Sequence, residues 1–194
     1  MPTKYANATE QMVLEEFRKK IDQEEGVAHF VKSESPDGII RTNAGKTIGI
    51  EVTSAIRTDD SATNPKDKNK VAIFLNKFGL YDPKGVSSAS LCESFTGDSY
   101  MQDILSKIKE RIHEKELNPT YCDFKTRFAK SVLVIYLDDL YLDSHTLERI
   151  TSQNTFSDLL HLFDEAYLYI RTSHHTSPLG IKHIGGFYLI GKIG

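Results

Sequence analysis

A chain of 194 residues is long enough for one domain that buries roughly 70% of its unfolded surface, so its core needs neither metals nor disulfides. An apolar fraction of 39%, a charged fraction of 26% and a formal net charge of −3 fit an ordinary α/β protein and exclude one coated in positive potential, although a local basic groove stays open to it. No apolar run approaches the roughly 20 residues that span a bilayer, the opening MPTKYANATEQ lacks a signal-peptide stretch, and Cys92 and Cys122 show no CxxC spacing, so the expectation is a cytoplasmic protein with packing or free thiols.

Residues 7–24 read as the first helix, because Val13, Leu14, Phe17 and Ile21 recur at helical spacing. At that pitch Glu10 falls in the middle of the apolar arc, Glu16 sits at its edge and Glu15 points away. Glu10 then has two compatible readings: the acid of a capping box begun by Asn7, or a functional carboxylate on the buried face. Gly26 ends the helix, and Val27–Lys32 is expected as a strand.

The stretch Glu34–Ala55, ESPDGIIRTNAGKTIGIEVTSA, reads as a β-hairpin: a short strand Gly38–Ile40, a glycine turn at Asn43–Lys46, and a second strand Thr47–Thr53. Antiparallel pairing brings the hairpin's outer ends together, and there sit two acids, Asp37 and Glu51. The polar run after Ala55 packs Lys66, Lys68 and Lys70 close together, either as a solvated loop or as a basic flap. Val71–Phe78 is apolar without a deciding period, and the whole of 57–97 reads as an irregular insertion in a single domain.

A second helix is expected from Asp98 or Ser99 to about Leu117, burying Met101, Ile104, Leu105, Ile108 and Ile112. Lys107, Arg111 and Lys115 border that stripe at a spacing of four, either as a solvated ridge paired with Asp103, Glu110 and Glu114 or as a basic face along a groove. Asn118-Pro119 stops the helix. Ser131–Leu137 is a β-branched run suited to a strand covered on both faces. Asp138 and Asp139 at its end are read chiefly as terminating acids. A short helix at 156–163 and strands at Ala166–Arg171 and Gly186–Ile190 complete the pattern, while His174-His175 in a Ser/Thr/Pro turn gives little support for a metal.

Two carboxylates on adjacent strands supply a partial shell for Mg²⁺, which takes one or two protein carboxylates and completes its octahedron with waters and phosphate oxygens. Asp37, Glu51 and the main-chain carbonyl of Val52 are the candidate ligands, with Mg²⁺ or Mn²⁺ as the ion.

Pro36-Asp37, a hairpin, and an apolar strand ending Ile50-Glu51-Val52-Thr53 together resemble the PD-(D/E)XK nuclease superfamily, whose motif reads Pro-Asp, a variable hairpin, then Asp/Glu-X-Lys. The first helix, with Glu10 ahead of Val13, Leu14 and Phe17, is similar to the Holliday-junction-resolvase branch, and ESPDG…IGIEVT is similar to a prokaryotic branch carrying an IEVT variant. The resemblance implies a restriction-endonuclease-like α/β fold, a central mixed sheet flanked by helices, and metal-dependent hydrolysis of phosphodiesters, with DNA favoured over RNA. It also implies roles for Glu10 or Glu16 as an outer ligand or water-orienting acid. A two-fold homodimer is the simplest assembly for cutting both strands of a duplex.

Where that motif has its lysine this chain has Thr53, which carries no charge. Lys107, Arg111 and Lys115 are the first candidates for a displaced cation, followed by Lys46 and the Lys66–Lys70 cluster. The alternatives are a nuclease-like fold kept as a nucleic-acid-binding or assembly module, and an unrelated α/β protein whose PDG turn is ordinary hairpin chemistry.

Overall fold

The computed structural model describes residues 4–55, 98–137, 144–152, 156–170 and 185–193. The expected insertion at 57–97, with the Lys66–Lys70 cluster, Val71–Phe78 and Cys92, lies outside these residues, as do Asp138, Asp139 and His174-His175.

Helix α1 spans Lys4–Glu25 and buries Val13, Leu14, Phe17 and Ile21, the stripe expected from their spacing. It begins earlier than expected, so Asn7 lies inside the helix and not at its cap, and the Asn7–Glu10 capping box does not apply. Strand β1, Val27–Lys32, follows and is largely exposed at the edge of the sheet. The hairpin consists of β2, Gly38–Thr42, and β3, Thr47–Ser54, in antiparallel register from Arg41↔Thr47 to Gly38↔Ile50. Its turn closes through the Thr42 N–H to the Lys46 carbonyl at 2.9 Å, and Gly45 takes φ +79°, a conformation that L side chains rarely adopt.

Helix α2, Asp98–Glu116, buries Ile104, Ile108 and Ile112. A 3₁₀ turn at Pro119–Tyr121 and the short helix α3, Phe124–Arg127, lead into β4, Lys130–Leu137. All residues of β4 after Lys130 are buried, as a strand covered on both faces requires. Helix α4, Ser144–Ser152, β5, Glu165–Ile170, and β6, Gly186–Lys192, complete the described elements. Residues 156–163 do not form the expected helix: only Ser157–Leu159 make a 3₁₀ turn, and the Leu162 and Phe163 amides donate to the Glu116 carboxylate (2.7 and 3.4 Å) in place of helical carbonyls.

Among the described residues the sheet has six strands in sequence order, with β3–β4–β5 parallel and the remaining pairs antiparallel. Alternation along β3 and β4 divides the core between the two faces. Ile50, Val52, Val132 and Val134 pack with α1, whereas Leu133 and Ile135 pack with Ile104, Ile108 and Ile112 of α2 and with Phe124 and Phe163. Each such fully buried side chain contributes roughly 1.5–3 kcal/mol. The molecule is thus a mixed α/β sheet with helices on both faces. Among the described residues no helix is long and apolar enough to cross a membrane.

Candidate active site

The site forms where the hairpin's ladder stops. The last paired residues are Gly38↔Ile50, so the next step outward sets Asp37 opposite Glu51. Asp37 does not continue the backbone ladder; instead its Oδ2 accepts the Val52 N–H at 2.7 Å. In a strand the N–H and C=O of one residue point to the same side, so the Val52 carbonyl is also turned toward the Asp37 side of β3.

Glu51 projects to the α2 face with its β4 partner Leu133, while its neighbours Ile50 and Val52 face α1. Two residues before it on the same face, Gly49 lies under Phe128, whose ring would come within 2.5 Å of any added Cβ. Two residues after it, Thr53 shares the face and is half-buried.

Glu51 is only 3% exposed. Its Oε1 accepts from Lys115 Nζ at 2.6 Å, reaching down from α2, and from the Tyr121 hydroxyl at 2.6 Å. Lys115 Nζ also donates to the Tyr121 oxygen at 3.3 Å. The other carboxylate oxygen, Oε2, is buried and has no hydrogen-bond partner among the described residues. An unpaired carboxylate oxygen held from water is costly unless a cation or donor reaches it.

The charges around Glu51 are unbalanced. Burial and the Glu51 charge, with a further push from Glu10, raise the Asp37 carboxyl from 3.8 to about 7 despite the Val52 amide and Lys115. Burial and the Glu51 charge likewise raise Glu10, partly offset by Lys115. Burial alone would push Lys115 down, but Glu51 and Tyr121 outweigh it and hold the ammonium above its ordinary value. Burial and Glu51 push the Tyr121 hydroxyl up to about 12, so it stays a donor at neutral pH. Lys115 is the cation that acts on both Asp37 and Glu10 while paired with Glu51. Asp37, Glu10 and Leu14 also line a cleft of about 380 Å³ with Gln11, Lys32, Ser33 and Glu34, which opens the site to solvent.

The residues singled out from the sequence therefore separate. Asp37, Glu51, Glu10 and Lys115 come into mutual electrostatic reach. Glu16 does not join them: its carboxylate pairs with Lys19 at 2.7 Å on the exposed side of α1. Arg111 is turned to Glu114 at 2.6 Å, and Lys107 lies half-buried two turns before Lys115. Lys46, at the far turn of the hairpin, is exposed and lies 3.7 Å from Glu25. Sequence reasoning missed Tyr121. The available signal was Asn118-Pro119, read only as a helix stop, which starts the turn that brings Tyr121 back beneath Lys115.

Among the described residues no group of three or more His, Cys, Asp or Glu side chains is arranged to hold a metal ion. Two carboxylates and a carbonyl are the kind of partial shell that Mg²⁺ takes, and Glu51 Oε2, without a partner among the described residues, and the raised Asp37 carboxyl would suit a divalent cation. Comparison with protein-family models, curated proteins and solved structures returns no match.

Proposed function

We propose that the protein is a metal-dependent nuclease that hydrolyses phosphodiester bonds in DNA, built on a restriction-endonuclease-like fold. The observation that carries this reading is the geometry at Glu51, with Lys115 Nζ 2.6 Å from one carboxylate oxygen and the other buried without a partner among the described residues. A hairpin leading into parallel strands, with α1 on one face and α2 on the other, supports the fold assignment.

In this reading Asp37, Glu51 and the Val52 carbonyl hold Mg²⁺ or Mn²⁺. The bound ion neutralises charge on the phosphate and acidifies a water molecule. Hydrolysis adds water to phosphorus and breaks one P–O ester bond, leaving a phosphate monoester and a free hydroxyl. Glu10, half-buried and with its carboxyl raised, would accept a proton from the attacking water in this reading. Lys115 supplies the positive charge that Thr53 lacks, orienting the water and stabilising the charge that builds on the phosphate.

One observation favours the second reading, a catalytically inactive nucleic-acid-binding or assembly module. Lys115 and Tyr121 both already bind Glu51 Oε1, as members of a structural ion pair would. Incubating the protein with plasmid, single-stranded and branched DNA, with and without Mg²⁺ or Mn²⁺, separates the two. Metal-dependent cleavage lost in Asp37→Asn and Glu51→Gln is expected. Intact DNA that is still retarded on a gel overturns catalysis in favour of the binding module, and cleavage by both variants at the parental rate places the activity elsewhere.

A further inference from the structure

Lysine carries four rotatable side-chain bonds, so an ammonium delivered from a helix needs a fixed partner to hold one position. The structure contains such a partner next to Lys115. Asn118 accepts the Thr120 N–H at 3.0 Å and Pro119 opens the turn, so Pro119–Tyr121 is a short capped 3₁₀ element. From it the Tyr121 ring packs edge-on against Phe124, with centroids 4.9 Å apart, and against Phe163 at 5.9 Å. Lys115 Nζ lies 5.4 Å from the Tyr121 ring centroid and donates to the hydroxyl. The ring is thus set by the α2-side core, independently of the charges it touches.

We propose that Tyr121 is the positioning residue of this site: with Lys115 it saturates Glu51 Oε1, so that the buried Oε2 is the oxygen without a partner among the described residues, available to a cation, and the ammonium is held on the neighbouring oxygen. The inference rests on the nuclease reading for its catalytic consequence, but not for its effect on metal binding. Tyr121 is not among the proposed metal ligands; it would act through Glu51 and Lys115, which distinguishes it from the acids. A merely structural tyrosine would contribute packing, which Phe reproduces, and its hydroxyl would be dispensable.

The test uses the full chain with Tyr121→Phe and Lys115→Met, singly and together. Cleavage kinetics are measured with Mg²⁺, Mn²⁺ binding is titrated without DNA, and melting is followed alongside. Tyr121→Phe keeps the ring contacts and should melt close to the parent, whereas a Tyr121→Leu control reports the cost of losing the ring. With Tyr121→Phe, kcat is expected to fall about 10- to 100-fold at unchanged KM, the size of loss that misplacing reacting groups produces. Mn²⁺ binding should weaken about tenfold, as for loss of a residue that orients a metal ligand. In the Lys115→Met background the Phe substitution should add little to the loss in kcat, because both act through one pair.

Parental kcat and Mn²⁺ affinity in Tyr121→Phe, or losses that multiply fully in the double variant, overturn the proposal. If the parent cuts no DNA, the nuclease reading fails on that result alone and the Mn²⁺ titration decides the role of Tyr121. Weakened binding then upholds it; unchanged or absent binding overturns it.

Discussion

Glu51 and Glu165 are assembled from the same parts, but their carboxylate oxygens are satisfied differently. Both are buried, at 3% and 5% exposure, and both meet a lysine and a tyrosine hydroxyl. At Glu165 the partners divide between the two oxygens: Lys130 (2.7 Å) and Tyr167 (2.8 Å) on Oε2, Lys192 (3.4 Å) on Oε1. Burial raises that carboxyl, but the hydrogen bonds and charges of Lys130, Tyr167 and Lys192 outweigh it and hold it below its ordinary range. At Glu51 both partners crowd one oxygen, the other has no partner among the described residues, and burial together with the Glu51 charge pushes Asp37 and Glu10 up. Burial alone does not distinguish a structural acid from a functional one. What separates them is whether the second oxygen and the neighbouring acids are satisfied within the chain.

The largest expected difference between the two acids is in activity. If the protein is the proposed nuclease, Glu51→Gln should lower metal-dependent DNA cleavage by about 10³-fold or more, since it would remove a ligand of the proposed metal ion. Glu165→Gln, two strands away on the opposite face of the sheet, should leave the rate per folded molecule unchanged. Equal losses in initial cleavage rate for the two variants would erase the distinction.

Stability should show the reverse emphasis. Glu165→Ala leaves two ammonium groups and a phenol without their acceptor and is expected to cost about 2 kcal/mol in denaturant unfolding. That is less than for a fully buried pair, because Lys130 and Lys192 reach solvent. A midpoint unchanged from the parent would show that this ion cluster holds nothing together.

A third expected effect is the pH dependence at Asp37. Its carboxyl is raised from 3.8 to about 7 in the folded chain, so across that window the folded state keeps a proton that the unfolded state has released. Without metal, this group's contribution to stability is therefore full below about pH 4, declines as pH rises towards 7 and is lost above it. Asp37→Asn removes the decline, so its melting temperature should exceed the parent's by a few degrees at pH 8 and lose that advantage near pH 5. Mn²⁺ at pH 8 should raise the parent's melting temperature and not the variant's. A parent at least as stable as the variant at pH 8 without metal would contradict the strain assigned to Asp37.

Much of this contrast was legible from local pattern. The glycine turn at Gly45 and the alternation of Ile48 and Ile50 around Gly49 dictate the hairpin register, and the register alone sets Asp37 opposite Glu51. The apolar stripes of α1 and α2 identified the buried faces, and with them Glu10 and the Lys107–Arg111–Lys115 ridge. Which member of that ridge reaches Glu51 was not legible, because it depends on where α2 crosses β3 and on Tyr121 returning after a proline stop. The failure at 156–163 has a similar origin. Leu159, Leu160, Leu162 and Phe163 resemble a helical stripe, but Glu116, distant in sequence, captures the Leu162 and Phe163 amides. Helix α4 went unread because Ser144–Ser152 is short and polar, with only Leu147 and Ile150 firmly buried among its described side chains.

The central claim is that Lys115 supplies from α2 the charge that Thr53 does not supply from β3. Thr53 lies on the same face as Glu51, so moving the charge back along the strand tests this directly. The decisive measurement is the Mg²⁺-dependent DNA cleavage rate of the parent, Lys115→Met, and Lys115→Met combined with Thr53→Lys. Loss of the cation should slow cleavage by about 100-fold or more, and the relocated lysine should recover at least about tenfold of it. Cleavage by Lys115→Met at the parental rate would contradict the account.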